Sequence, residues 1–214
     1  MASLLLPIIY LAFISLGLPD ALLGAAWPTM YPQLGAQVSW AGGVSMIISA
    51  CTILSALASD RLNERLGTGR VTAISVATTA AALLGFSFCH AFWQLCLWAI
   101  PYGLGAGSVD AALNNYVALH YKSRHMSWLH CMWGVGASLG PVIMGQALAG
   151  SGWQGGYRII GILQVVLTVA LLFSLPLWKL PQDAMGGEPF TPQHRSFPEL
   201  LKITGVPEVL VCFL

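Results

Sequence analysis

Apolar residues run along this chain in blocks long enough to cross a bilayer, parted by short polar joins. A helix needs about 20 mostly apolar residues to cover a hydrocarbon core of ~30 Å. Six stretches meet that demand: residues 4–31, 40–59, 71–90, 92–121, 126–149 and 159–178. A seventh begins at Val206 and the sequence ends inside it, at Leu214. The pattern predicts an all-α integral membrane protein with a six-helix bundle over 1–179, a polar linker over 180–205 and the start of a seventh helix over 206–214. The linker carries Pro181, Gly186, Gly187, Pro189, Pro192 and Pro198, a density that prevents a continuous helix. The piece from 206 onward is too short to cross a membrane, so the chain is expected to belong to something longer.

Composition agrees with the pattern. The chain is 57% hydrophobic and 8% charged, against roughly 25% charged in an average soluble domain. A formal net charge of +1 gives no reason to expect nucleic acid as a partner. Cys51, Cys89, Cys96, Cys131 and Cys212 all lie in apolar segments, so they are read as small core residues and not as a disulfide framework. Nothing in the chain points to a cofactor or a metal. The first stretch lacks a basic n-region and runs on through Asp20 and Pro28 without a cleavage site, so it reads as a span and not as a signal peptide.

Basic residues set the orientation. Arg61, Arg65 and Arg70, then Lys122 and Arg124, then Lys179, Arg195 and Lys202 all fall on one side; Arg158 alone falls on the other. That asymmetry makes the first side cytoplasmic and puts the N-terminus and the 180–205 linker with it. A plasma (inner) membrane is the expected setting.

Two of the spans contain what lipid excludes. From Gly103 to Asn115 the fourth stretch reads Gly-Leu-Gly-Ala-Gly-Ser-Val-Asp-Ala-Ala-Leu-Asn-Asn. At helical spacing Gly103, Gly107, Asp110 and Asn114 share one stripe. The first stretch carries a second stripe, Phe13, Gly17, Asp20, Gly24, Trp27 and Tyr31, with Pro19 predicting a distortion beside the carboxylate. Gly17-x-x-Asp20-Ala21 is echoed by Gly107-x-x-Asp110-Ala111, three spans later and so in the opposite direction. Three-helix repeats of inverted topology are common in secondary transporters.

An ionised Asp at mid-bilayer costs about 2.5–3.5 kcal/mol. No Lys or Arg lies at similar depth to offset it, and burial without a cation disfavours the charged form of a carboxylate. Asp20 and Asp110 are therefore the candidate proton carriers; the plain alternative is a protonated Asp that bonds neighbouring helices, worth ~0.6 kcal/mol. Asn114, Asn115 and His130, with the indoles of Trp27 and Trp133, suit a polar hydroxylated solute, because amides and imidazole hydrogen-bond it and aromatic faces cover its C–H surface. Asp60, Arg61, Arg65 and Arg70 lie in what reads as a charged loop after the second span. Such charges can pair in one conformation only, which is what a gate requires; a solvated turn is the bland reading.

Three stretches resemble the major facilitator superfamily, and within it the fucose-permease-like sugar symporters. They are Gly17-Leu-Pro-Asp-Ala-Leu-Leu-Gly-Ala-Ala-Trp-Pro, the 103–115 stretch, and Leu129-His-Cys-Met-Trp-Gly-Val-Gly-Ala-Ser-Leu-Gly-Pro. The loop after the second span is similar to the Gly-x-x-x-Asp-Arg-x-Gly-x-Arg-Arg signature at Asp60 and Arg61, but Ala56 stands in place of the first glycine and the turn is longer. The resemblance implies one six-helix half of a twelve-helix carrier, with alternating access and proton coupling through Asp20 and Asp110. It also implies a partner half, either a C-terminal six-helix half or a second copy. The expected activity is proton-coupled symport of a sugar or similar small polar solute. A drug/proton antiporter is the transporter alternative, favoured by Gly140-Pro141 and disfavoured by the Asn pair. An intramembrane aspartyl protease would need Gly-x-Gly-Asp and Tyr-Asp signatures, and Ser108-Val109-Asp110 and Leu18-Pro19-Asp20 match neither.

Overall fold

The computed structural model describes residues 2–179, with side chains from Leu5 to Trp178; the expected linker and the start of the seventh helix lie outside them. Seven α-helices follow one another: α1 (Ala2–Asp20), α2 (Leu22–Gln33), α3 (Trp40–Leu66), α4 (Thr68–Ser87), α5 (Phe92–His120), α6 (Ser123–Leu148) and α7 (Gly152–Ser174), closing on a 3-10 turn, Leu175–Lys179. Helices α1 and α2 form one membrane span interrupted at Ala21, so the described residues contain six spans and no strand. Five of the six are apolar enough to cross a membrane by composition. The remaining one is α5, which at 29 residues is long enough to span.

The stretch read as a charged loop is helical. Asp60, Arg61 and Arg65 belong to the last two turns of α3, Arg70 to the first turn of α4, and only Gly67 stands between the two helices. Gly67 has φ +80°, where a side chain would be strained, and its N–H caps Asn63 O at 2.8 Å. A single glycine in the left-handed region turns the chain over a distance the sequence pattern assigned to a longer loop. Similarly α7 starts at Gly152, well before 159, which puts Arg158 within the helix and its guanidinium 5.4 Å from the centre of the Phe88 ring.

Helices pair in an order that explains the internal echo. The most extensive contacts are α3 with α5, α1 with α6, α4 with α7 and α4 with α5. Exchanging the first three spans with the last three converts the α1–α6 pair into the α5–α3 pair and leaves α4–α7 as itself. The echoed glycines occupy matching places in that scheme. A Cβ at Gly17 would collide with the carbonyl oxygen of Trp133 on α6, and a Cβ at Gly107 with the carbonyl oxygen of Thr52 on α3. Both repeats thus bring two helix backbones together at the same point, in the manner of small-residue interfaces in membranes. The α1–α6 seam is closed further by Gly136 against Ile14 and by Gly140 against Leu18, the α3–α5 seam by Gly103 against Ile48. Hydroxyls stitch the second seam: Thr52 Oγ1 donates to Gly103 O at 3.2 Å, and Ser55 bonds Leu104 O and Ser108.

Burial divides by environment. Ile9, Phe13, Leu22, Met30 and Trp153 are fully enclosed, whereas Met46 on α3, Leu57 on α3 and Phe173 on α7 are 74%, 69% and 82% exposed. Exposed apolar side chains in such number fit a surface covered by lipid. At the end opposite the Gly67 turn, Trp27 Nε1 donates to Val38 O at 2.8 Å and Trp153 Nε1 to Gln33 Oε1 at 2.7 Å, fixing the chain where it leaves α2.

The seams yield a direct test. Gly136→Ala places a methyl against the backbone of α1 and is expected to cost about 1–3 kcal/mol, read as a lower melting temperature of the purified protein in detergent. Gly134→Ala, two residues away and facing open space, is expected to leave the melting temperature unchanged or raise it, since Ala is the better helix former.

Candidate functional site

Asp20 is the last residue of α1, where the first span breaks. Pro19 has no N–H to give the carbonyl of Ser15, so the helix cannot continue undisturbed there. The break presents the carboxylate sideways, and two helices reach it. Trp133 Nε1 on α6 donates to Asp20 Oδ2 at 2.7 Å, and Tyr102 Oη on α5 donates to Oδ1 at 3.2 Å. The first bond follows from packing: Gly17 lets the Trp133 backbone close on α1, and the indole then reaches the carboxylate one turn along. Tyr102 is 5% exposed and packs against Phe86.

Asp110 is held differently. Its Oδ1 accepts one hydrogen bond, from Asn114 Nδ2 at 3.0 Å on the same helix. The His130 imidazole on α6 and the Asp20 carboxylate are both close enough to interact with this region electrostatically. Counted along α5 at 1.5 Å per residue, Asp110 stands about 27 Å from the Phe92 end and about 15 Å from the His120 end, well within the span. Among the described residues, neither carboxylate is paired with Lys or Arg.

Most of the residues singled out in the sequence gather on the face shared by α1, α5 and α6. Asp20, Asp110, His130 and Trp133 are exposed on it and Asn114 is half-buried; Asn115 is exposed as well, but it lies about 100° round α5 from Asn114 and so off the stripe of Asp110. Asn114 Oδ1 is enclosed and has no hydrogen-bond partner among the described residues. His130 meets the Phe13 ring edge-on, with centres 6.1 Å apart. Trp27 is not part of this group. It lies two turns beyond Asp20 on α2, 6% exposed, with its N–H committed to Val38 O and its ring against Tyr31 and Phe92. Asp60, Arg61, Arg65 and Arg70 are exposed at the far ends of α3 and α4. Of the cysteines expected in the core, Cys89 is buried and Cys51 and Cys96 are partly so, but Cys131 on α6 is exposed; Cys212 lies outside the described residues.

Two contributors were not singled out from the sequence. Tyr102 immediately precedes the polar stretch, and its role needs the α1–α5 approach to be seen. Gln164, 2% exposed on α7, stands as a lone amide in an apolar run; a buried polar side chain demands a partner, and that demand was the available signal.

The model of the Major Facilitator Superfamily matches residues 9–214. The chain belongs to the major facilitator superfamily. Comparison with curated proteins finds no match. Membership makes this a multi-pass secondary transporter with a small solute as its cargo, and within the superfamily fold the carboxylate pair stands on one exposed face of the bundle.

The two hydrogen bonds to Asp20 predict how substitutions there behave. Asp20→Asn keeps an acceptor for Tyr102 and is expected to retain the melting temperature to within a few degrees. Asp20→Leu strands the buried Tyr102 hydroxyl and is expected to cost about 1–3 kcal/mol, visible in the same thermal melt.

Proposed function

We propose that this superfamily member couples protons to the symport of a sugar or similar small polar solute by alternating access. One observation supports the reading: two intramembrane carboxylates, neither with a basic partner among the described residues, share one face with the Asn114 carboxamide, an imidazole and an indole. Intramembrane acids on a bundle face are functional sites by default. Their unequal attachment suggests a division of labour. Asp20, bound from two other helices, holds α1, α5 and α6 in register. Asp110, bound only within its own helix, is the group able to exchange a proton and change partner.

In the proposed cycle Asp110 takes a proton from the outer side, which removes a charge the membrane disfavours. Solute then binds near Asn114, Asn115, His130 and Trp133, with the amide and imidazole groups as hydrogen-bond partners for its hydroxyls. The loaded carrier closes outward and opens inward. Coupling follows if protonation raises solute affinity in one state more than in the other. Six spans expose this face to a complementary half, a C-terminal six-helix bundle or a second copy, joined through the 180–205 linker on the cytoplasmic side of the plasma membrane.

Uptake by the full-length transporter in vesicles tests this. An inward proton gradient of about one pH unit is expected to raise accumulation of the transported sugar up to about tenfold, because one proton moved per solute down that gradient supplies about 1.4 kcal/mol. Asp110→Asn is expected to abolish accumulation and keep downhill exchange. Gradient-insensitive uptake, or accumulation by Asp110→Asn, would remove proton coupling. One observation favours the drug/proton antiport alternative: Gly140, just before Pro141, packs on Leu18 O beside Asp20, so a bend there would act on this site. Efflux of a lipophilic cation with no sugar counterflow would select that alternative.

A further inference from the structure

The break that presents Asp20 leaves a debt elsewhere in α1. Ser15 O is the carbonyl whose helical donor would be the N–H of residue 19, and Pro19 has none. In a membrane an unsatisfied carbonyl has no water to turn to. The carboxamide of Gln164 on α7 fills the gap: its Nε2 donates to Ser15 O at 2.9 Å. Because that carbonyl can only accept, the amide must face it with nitrogen, and Gln164 Oε1 is turned toward α4. There Thr79 Oγ1 donates to it at 2.7 Å. All three residues are buried, at 7% for Ser15, 3% for Thr79 and 2% for Gln164. The bridge thus runs from the α4–α7 pair, remote from the open face, to the turn of α1 just before the carboxylate.

We infer that Gln164 is a positioning residue, a side-chain donor in place of the N–H missing at Pro19 that sets where Asp20 meets Trp133 and Tyr102. Gln164 touches neither carboxylate; it acts through the course of α1. Packing alone would not select this amide, since an apolar side chain of the same volume fills the same space. The proposal deepens the transport reading in that Asp20 belongs to the proposed site, but its test does not use transport.

The test is a double-mutant cycle on the full chain in detergent micelles. Gln164→Leu removes the bridge and is expected to lower the melting temperature by roughly 5 °C. Pro19→Ala restores an N–H for Ser15 O, so in that background Gln164→Leu is expected to lose less than half as much. The indole N–H resonance of Trp133, assigned by its absence in Trp133→Phe, reports the contact with Asp20. It is expected to shift or broaden in Gln164→Leu and to return toward its original position in the double variant. If Gln164→Leu alone does not fold, recovery of folded protein by adding Pro19→Ala is the same rescue. Equal penalties in both backgrounds, failure of the double variant to fold, or an unmoved Trp133 resonance would each overturn the proposal. Loss of proton coupling in vesicles with the cycle intact would count against the transport reading and leave this one standing.

Discussion

Inside a bilayer every backbone N–H and C=O has to find its partner within the protein, and Pro19 makes that requirement acute. By withholding one N–H it frees Ser15 O and interrupts the first span at Ala21. A break of this kind is tolerable only where neighbouring helices supply what the backbone has lost. Here α7 supplies an amide to the carbonyl, α6 an indole and α5 a phenol to the carboxylate next to it. The setting of Asp20 on the polar face is therefore made by three other helices gathered round one irregularity in α1.

That compensation depends on close approach, and close approach on the absence of side chains. Gly17, Gly136 and Gly140 let α1 and α6 touch backbone to backbone, as Gly103 and Gly107 do for α5 and α3. With little hydrophobic drive between helices in lipid, van der Waals contact at such seams supplies much of the association. The two seams correspond under exchange of the repeats, so one packing solution serves the bundle twice. Hydrogen bonding departs from that symmetry. Asp20 is bound across helices and Asp110 along its own, so two chemically identical side chains at corresponding places are held by different partners.

Residues proposed to bind solute are positioned by the same contacts. Trp133 illustrates this best, because its carbonyl abuts Gly17 and its indole binds Asp20; one residue forms both the seam and the site. His130, a turn earlier on α6, is carried toward Asp110 by the same seam. Trp27 belongs to the stripe of Asp20 in the sequence, yet the turn after α2 claims it through Val38 O.

The amino-acid sequence by itself determined the class of protein, the six spans and the two acids within them, because lipid sets a length and an apolarity that any spanning helix must meet and marks every exception. It also determined that Pro19 gives no N–H to Ser15 O, a covalent fact, but not that the span would break at Ala21, since Pro101 and Pro141 leave α5 and α6 continuous. What it left open were matters of distance. Asp60 to Leu66 carries the charges of a loop but stays helical, because one glycine at φ +80° suffices for the turn. Tyr102 and Gln164 look like isolated polar residues until α5 and α7 are laid against α1. Partners more than eighty residues apart are chosen by which backbones can approach, and only the tertiary structure decides that.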